Sequence, residues 1–268
     1  IKLQQVSDNN YLKKNKIYSR LSNDLDFLEN SISLSLNSNN FFFDINSTIF
    51  EDLDKTKNDK YEFIVPKIDF FWDIEDGEKS NGDFTFESNN LVRNYNTNIY
   101  EKSNINNLYF LSNPTINDLG ISNNYQLIIK NINTDSKNSA DFKEKENFDI
   151  SGLLQLNSTF PLEKQNNLYQ NILTPKISMK IAPNHTKNNK NDENKINVNN
   201  IYSLNRISKN DTIEGGLSLT YGADYNLINK NQKEILSFKA ANNLRIDENP
   251  DIPHLNQLNQ KTSNFFTE

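Results

Sequence analysis

The sequence predicts an all-β protein: an antiparallel, up-and-down transmembrane β-barrel wall made of consecutive hairpins. Three observations carry that prediction. First, the stretch from Gly216 to Tyr225 alternates cleanly: Leu217, Leu219, Tyr221, Ala223 and Tyr225 share one face, and Gly216, Ser218, Thr220, Gly222 and Asp224 share the other. This is the dyad pattern of a barrel strand with one lipid-facing and one water-facing side. Second, the mean hydropathy is only -0.78, yet 11% of residues are aromatic, too many for a disordered chain. Third, no helical stripe of useful length and no run of about 18 apolar residues occurs, so no transmembrane helix is expected.

Taken in order, Gln5 to Leu12 reads as a turn before an apolar anchor. Ser31 to Leu36 alternates Ile32, Leu34 and Leu36 against serines, a strand. Asn37 to Asn40 turns the chain, and Phe41 to Phe50 returns. Glu51 to Lys60 is a charged loop. Tyr61 to Ile74 is a strong strand, with Ile64, Pro66, Ile68, Phe70, Trp72 and Ile74 assigned to one face. Pro66 removes a ladder hydrogen bond, so pairing near it should be locally weak. Glu75 to Asn81 is an acidic turn. Asp83 to Ser88 and Leu91 to Tyr100 form a hairpin around Asn89-Asn90, and Asn104 to Ile121 is an irregular connection broken at Asn113-Pro114.

Tyr125 to Ile132 is a strand, and Asn133 to Glu146 a long charged loop. Phe148 to Phe160 alternates, which points Leu154 and Leu156 to lipid and Gln155 and Asn157 to the lumen. Leu173 to Pro183 sets Ile177, Met179 and Ile181 against Lys176, Ser178 and Lys180. Asn184 to Asn197 is almost wholly polar and is expected to be a surface loop without an apolar anchor. Val198 to Tyr225 reads as strand, polar turn at Ser208 to Asp211, and strand. Glu234 to Ile246 is the last strand, and Asp247 to Gln260, with Pro250 and Pro253, is loop. Roughly ten to a dozen strands of about 9–11 residues fit.

No chemistry stands out. The net charge is -6 and no long basic run exists, so nucleic acid is not an expected partner. With no cysteine, disulfides and thiolate sites are excluded. The carboxylates at Asp24/Asp26, Glu51/Asp52/Asp54 and Asp73/Glu75/Asp76 read as solvated loop groups rather than a catalytic pair. His185 and His254 lack partners at ligand spacing and read as exposed. Gly215-Gly216 precedes no helix, so it relieves crowding at a strand start rather than cradling phosphate. No catalytic residue, cofactor or metal is expected.

One set of residues forms a signature. Asn200, Asn205, Arg206, Asp211, Glu214, Gly215, Gly216, Tyr221 and Gly222 resemble the "RfsG…E.G…YG" hairpin of the LptD (OstA, organic-solvent-tolerance) family of lipopolysaccharide-assembly proteins. Lys209-Asn210-Asp211-Thr212 stands where that family has Gly-x-Asp-Arg, so one family arginine is missing. Ser7, Asp8, Tyr11 and Leu12 are similar to its "SDxxYL" opening, and Pro66 to a proline in an early strand. The resemblance covers nearly the whole chain in pieces. It implies a very large outer-membrane barrel that passes the sugar part of lipopolysaccharide through its lumen and releases the lipid part through a seam into outer-membrane lipids. It also implies an LptE-like plug lipoprotein and a periplasmic LptA-like bridge as partners. Residue 1 is Ile and no signal peptide is visible, so residues 1–268 are expected to be the middle of a single barrel domain. Two other readings stay open: a different porin or channel, and a soluble β-sandwich adhesin with Ile68, Phe70, Trp72, Leu154 and Leu219 in one core.

Overall fold

The computed structural model describes residues 1–17, 24–74, 80–142, 144–183, 187–191, 195–207, 209–255 and 257–268. Ten long strands carry the fold: β1 (Phe27–Asn37), β2 (Phe41–Asp52), β3 (Tyr61–Ile74), β4 (Gly82–Tyr95), β5 (Ile99–Ser112), β7 (Ser122–Lys137), β8 (Asn147–Thr159), β10 (Tyr169–Ala182), β11 (Gly216–Asn229) and β12 (Glu234–Arg245). The short pieces β6 (Thr115–Ile116), β9 (Leu162–Gln165) and β13 (Phe266–Thr267) complete a single sheet. Its order is β1-β2-β3-β4-β5-β7-β8-β10-β11-β12-β13, with β6 on β7 and β9 on β10. Consecutive long strands are therefore neighbours, as in a hairpin series. The all-β antiparallel fold expected from the alternation is the one observed. No second sheet faces the first among the described residues, and Trp72 is 42% exposed. The sandwich core is thus not formed.

Contacts divide into two compact units: Ile1–Ile74, Thr85–Asn107 and Lys130–Ile150 in one, and Glu75–Phe84, Leu108–Ile129 and Ser151–Glu268 in the other. In the first unit, a five-residue helix α1 (Tyr11–Asn15) follows the Asp8 turn, whose carbonyl accepts the Tyr11 amide at 3.0 Å. It sets Leu12 into a small cluster with Leu28 and Leu53, so the opening is a turn before an apolar anchor. Lys2 bridges Ser31 on the outer edge of β1.

The Pro66 expectation holds, with a consequence for the faces. Asn46 pairs with Lys67 and Thr48 with Ile64, so Val65 and Pro66 together oppose Ser47. An extra residue of this kind is a bulge, and it shifts the alternation by one. Before it Phe63 stands opposite Ile49 and Ile64 opposite Thr48, and after it Ile68 stands opposite Ile45 and Trp72 opposite Phe41. Ile64 is therefore on the opposite face from Ile68, which corrects the single-face assignment.

Other boundaries also moved. Asn89-Asn90 lies inside β4, and the turn is at Asn96-Thr97, both with positive φ, as a primed hairpin turn requires. The connection expected from Asn104 is instead strand β5 up to Asn113-Pro114, and β7 continues past Asn133 to Lys137. Asparagine-rich strands disguise themselves as loops, because Asn favours turns locally while cross-strand pairing fixes it in a ladder. Most of the Glu75–Asn81 turn lies outside the described residues.

In the second unit, Val198 to Arg206 is not a strand but a run of turns. Ile196, Val198, Ile201 and Ile207 bury themselves against Ala241, Ile252, Leu258 and Phe266. Among its described residues 184–197 is a surface loop, with Asn188, Lys190, Asn191, Lys195 and Asn197 exposed, but it is anchored: Ile196 is buried, Asn189 is 2% exposed, and the Asn189 amide donates to the Asp251 carbonyl at 2.7 Å. A strand on the β12 edge is supplied by Thr262 and by β13.

Candidate functional site: a buried ionic clamp

Strands β8, β10, β11 and β12 bury their polar face and expose their apolar one. On β10, Leu173, Ile177 and Ile181 are 40–44% exposed, whereas Ser178 and Lys180 are 1–2% exposed. On β11, Ser218 and Thr220 are buried and Tyr221 is exposed. Asn243 and Arg245 of β12 and Gln155 of β8 are buried as well. What covers this polar face is the connection from β10 to β11.

The connection is shaped by its own polar side chains. Asn200 accepts the Asn197 amide at 2.8 Å and donates to the Lys195 carbonyl at 2.8 Å. Asn205 Oδ1 accepts the Glu214 amide at 3.2 Å, and its Nδ2 donates to the Thr212 carbonyl at 3.4 Å. Asn205 thereby closes the 205–214 loop and brings Arg206 beside Glu214. Asp211 pairs with Lys187. Gly216 opens β11 with φ +98, a conformation that side chains resist. The Gly215 carbonyl is turned to Arg245 Nη2.

At the centre, Arg206 grips Glu214 with two parallel donors, Nε to Oε2 at 2.6 Å and Nη2 to Oε1. Arg245 Nη1 donates to the same Oε1 at 2.6 Å. Arg206 Nη1 also reaches Asn243 Oδ1 at 2.8 Å and Thr220 Oγ1 at 3.2 Å, and Nη2 reaches Ser218 Oγ at 3.2 Å. Lys180 donates to the Ser203 carbonyl and lies 3.8 Å from Glu214. The side chains of Arg206, Arg245, Glu214 and Lys180 are 0–2% exposed. Bidentate guanidinium–carboxylate geometry is the arrangement that makes such deep burial of charge tolerable. Burial opposes the charge on Glu214, but Arg206, Lys180 and Arg245 outweigh it and hold its carboxyl well below the usual carboxylate range.

Tyr202 extends the clamp sideways. Its carbonyl accepts Gln155 Nε2 at 2.7 Å, and Lys176 Nζ, paired with Asp224, stands 5.9 Å from its ring centre. Burial, with Asp224 adding to it, pushes the phenol up to about 12. The ring passes over Gly222, where an added Cβ would sit 2.5 Å from Tyr202 Oη and 2.2 Å from the Ala240 carbonyl. Gly222 is bare because another segment's side chain occupies its space.

Of the residues singled out in the sequence, Asn205, Arg206, Glu214, Gly215 and Gly222 converge here, while Asn200 and Asp211 brace the same connection. Tyr221 points to the exposed face. Ser7, Asp8, Tyr11, Leu12 and Pro66 belong to the first unit and take no part. Lys180 and Gln155 were assigned to the polar faces of their strands but not joined to this cluster, and Arg245 and Asn243 went unnoticed. Their signal was present as long polar side chains in phase with the small polar face of a strand. Of the loop carboxylates, Asp26 and Asp54 pair with Lys13 at 2.6 and 2.7 Å, and Asp52 with Lys55 at 3.6 Å. His254 is exposed, and His185 lies outside the described residues.

The family model described as LPS transport system D, LptD, matches residues 1–268, the whole chain. No curated protein matches it.

Proposed function

Because this chain belongs to the LptD family of the lipopolysaccharide transport system, we propose that residues 1–268 form a stretch of the wall of one outer-membrane barrel domain through which lipopolysaccharide reaches the outer leaflet. The observation that carries this reading is the inversion of burial: Ile32, Leu34, Ile177, Ile181 and Phe238 are 44–56% exposed while Lys180, Gln155, Asn243 and Thr220 are at most 2% exposed. Water as the sole solvent would favour the opposite arrangement by roughly 1.5–3 kcal/mol for each large apolar side chain. Lipid around the exposed face removes that penalty.

In this reading the buried polar face is the lumenal side, and the Arg206–Glu214–Arg245 clamp fixes the β10–β11 connection across it. The connection then narrows the path beside β10–β12 and leaves a polar lining suited to sugars. An LptE-like lipoprotein within the lumen and an LptA-like periplasmic bridge are the partners the family implies. The protein acts by transport, without a catalytic step. Depletion of the protein tests this: newly made lipopolysaccharide should stop appearing at the cell surface, as read by surface labelling of its sugars. Undiminished surface labelling together with lost uptake of small solutes would favour a general channel instead.

A further inference from the structure

A groove of about 580 Å³ opens on the exposed face of the second unit, and its lining is almost wholly apolar. The registers explain it. Pro175, Ala223 and Ala240 stand side by side across β10, β11 and β12, and their short side chains form the floor. One wall is the adjacent row of Ile177 and Tyr221, and on the other side of the floor the next row in register is Leu173, Tyr225 and Phe238. Phe160 closes the β8 end and Phe265 the far end. The groove thus runs across the strands, and its volume lies within the roughly 300–1,000 Å³ of ordinary ligand sites.

We infer that this groove is a specific site for one acyl chain of a membrane phospholipid. The inference rests on the reading of the exposed face as lipid-facing, and the groove is continuous with that face: its walls Ile177 and Tyr221 are themselves 44% and 41% exposed. Strands tilted by about 45° in a bilayer place a cross-strand groove at a similar angle to the normal, so a chain can lie along it without leaving the hydrocarbon layer. The groove offers no charge to a head group, because Lys176 beside it is paired with Asp224. Recognition is therefore of the chain by shape, through the trough over Pro175, Ala223 and Ala240.

The test uses the full-length protein reconstituted in vesicles of phosphatidylethanolamine, extracted in mild detergent and weighed intact by native mass spectrometry. The wild type should retain one phospholipid. Ala223→Phe and, independently, Ala240→Phe fill the floor and should each cut that retained fraction about tenfold, whereas Ile32→Phe, on β1, should leave it unchanged. Equal retention in all four proteins overturns the groove site while leaving the lipid-facing reading intact. A retained lipopolysaccharide or a bound protein in place of phospholipid overturns the chosen occupant. A wild-type protein that fails to enter vesicles at all overturns the lipid-facing reading, and the groove site with it.

Discussion

The two faces of β10, β11 and β12 are built from alternate residues of the same fourteen-odd-residue strands, yet they obey opposite rules. The exposed face carries Leu173, Ile177, Ile181 and Tyr221 with no charged group among them, and each is 40–44% exposed. The buried face carries Lys180, Arg245 and Thr220, joined by Arg206 and Glu214 from the connection. Apolar side chains on the first face need only a medium that does not reject them. Charges on the second need specific partners at specific distances, since a buried ion without one costs several kcal/mol. The exposed face should therefore tolerate any apolar substitution, and the buried face almost none.

Breaking the buried face at its centre should have the largest effect. Glu214→Ala leaves Arg206 and Arg245 buried beside each other with no carboxylate between them, and should destabilise the vesicle-embedded protein by about 3–5 kcal/mol in urea unfolding. Ile177→Arg breaks the exposed face instead, and should cost about 2–4 kcal/mol in the same assay if that residue sits near the bilayer midplane. The alternation alone would make Gln155→Arg cheap; with Gln155 1% exposed and bonded to the Tyr202 carbonyl, it should now cost more than a lumenal change normally does. Gly222→Ala intrudes on Tyr202 and the Ala240 carbonyl, an overpacking worth about 1–3 kcal/mol. Protease should cut within 195–207 faster in that variant than in the wild type.

Acid gives a graded version of the first experiment. A carboxyl whose pKa is depressed in the folded state contributes stability that is fully present above its unfolded value, about 4.3 for Glu, and loses it as pH falls through the lower folded value. Stability referred to Glu214 should thus be flat from neutral pH to about 5 and fall below that. Glu214→Gln should lower the plateau and remove its share of the acid slope. The smallest effect is expected where ion pairs are exposed. Lys13, half-open to water between Asp26 and Asp54, should be replaceable by Met with no measurable shift of the unfolding midpoint, as is usual for solvated pairs.

Alternation made the faces of β8, β10 and β11 legible because period 2 and exposure run together along those strands. It failed at Pro66, where a bulge shifts the phase and the sequence offers no count of the extra residue. It failed again at Asn89-Asn90 and from Asn104 to Ser112, where turn-forming residues are held in β4 and β5 by pairing with the neighbouring strands. Arg206 and Glu214 could be singled out, but not joined. Their contact depends on Asn205 closing the loop between them, and on Arg245 arriving from the end of β12. Ile196, Ile201 and Ile207 were the missed hint that a connection rich in Asn and Lys would pack down, since three β-branched apolar residues in so polar a stretch need a place to be buried.

The central claim, a wall with lipid on its apolar face and a polar lining behind it, is tested most directly along β10. The chain has no cysteine, so single cysteines at successive positions from Leu173 to Ala182 can each carry one fluorescent label in the reconstituted protein. Vesicles doped with doxyl-labelled phospholipid should quench the labels at 173, 177, 179 and 181 and spare those at 174, 176, 178 and 180. Quenching of the opposite set, or equal quenching along the whole strand, would contradict the account.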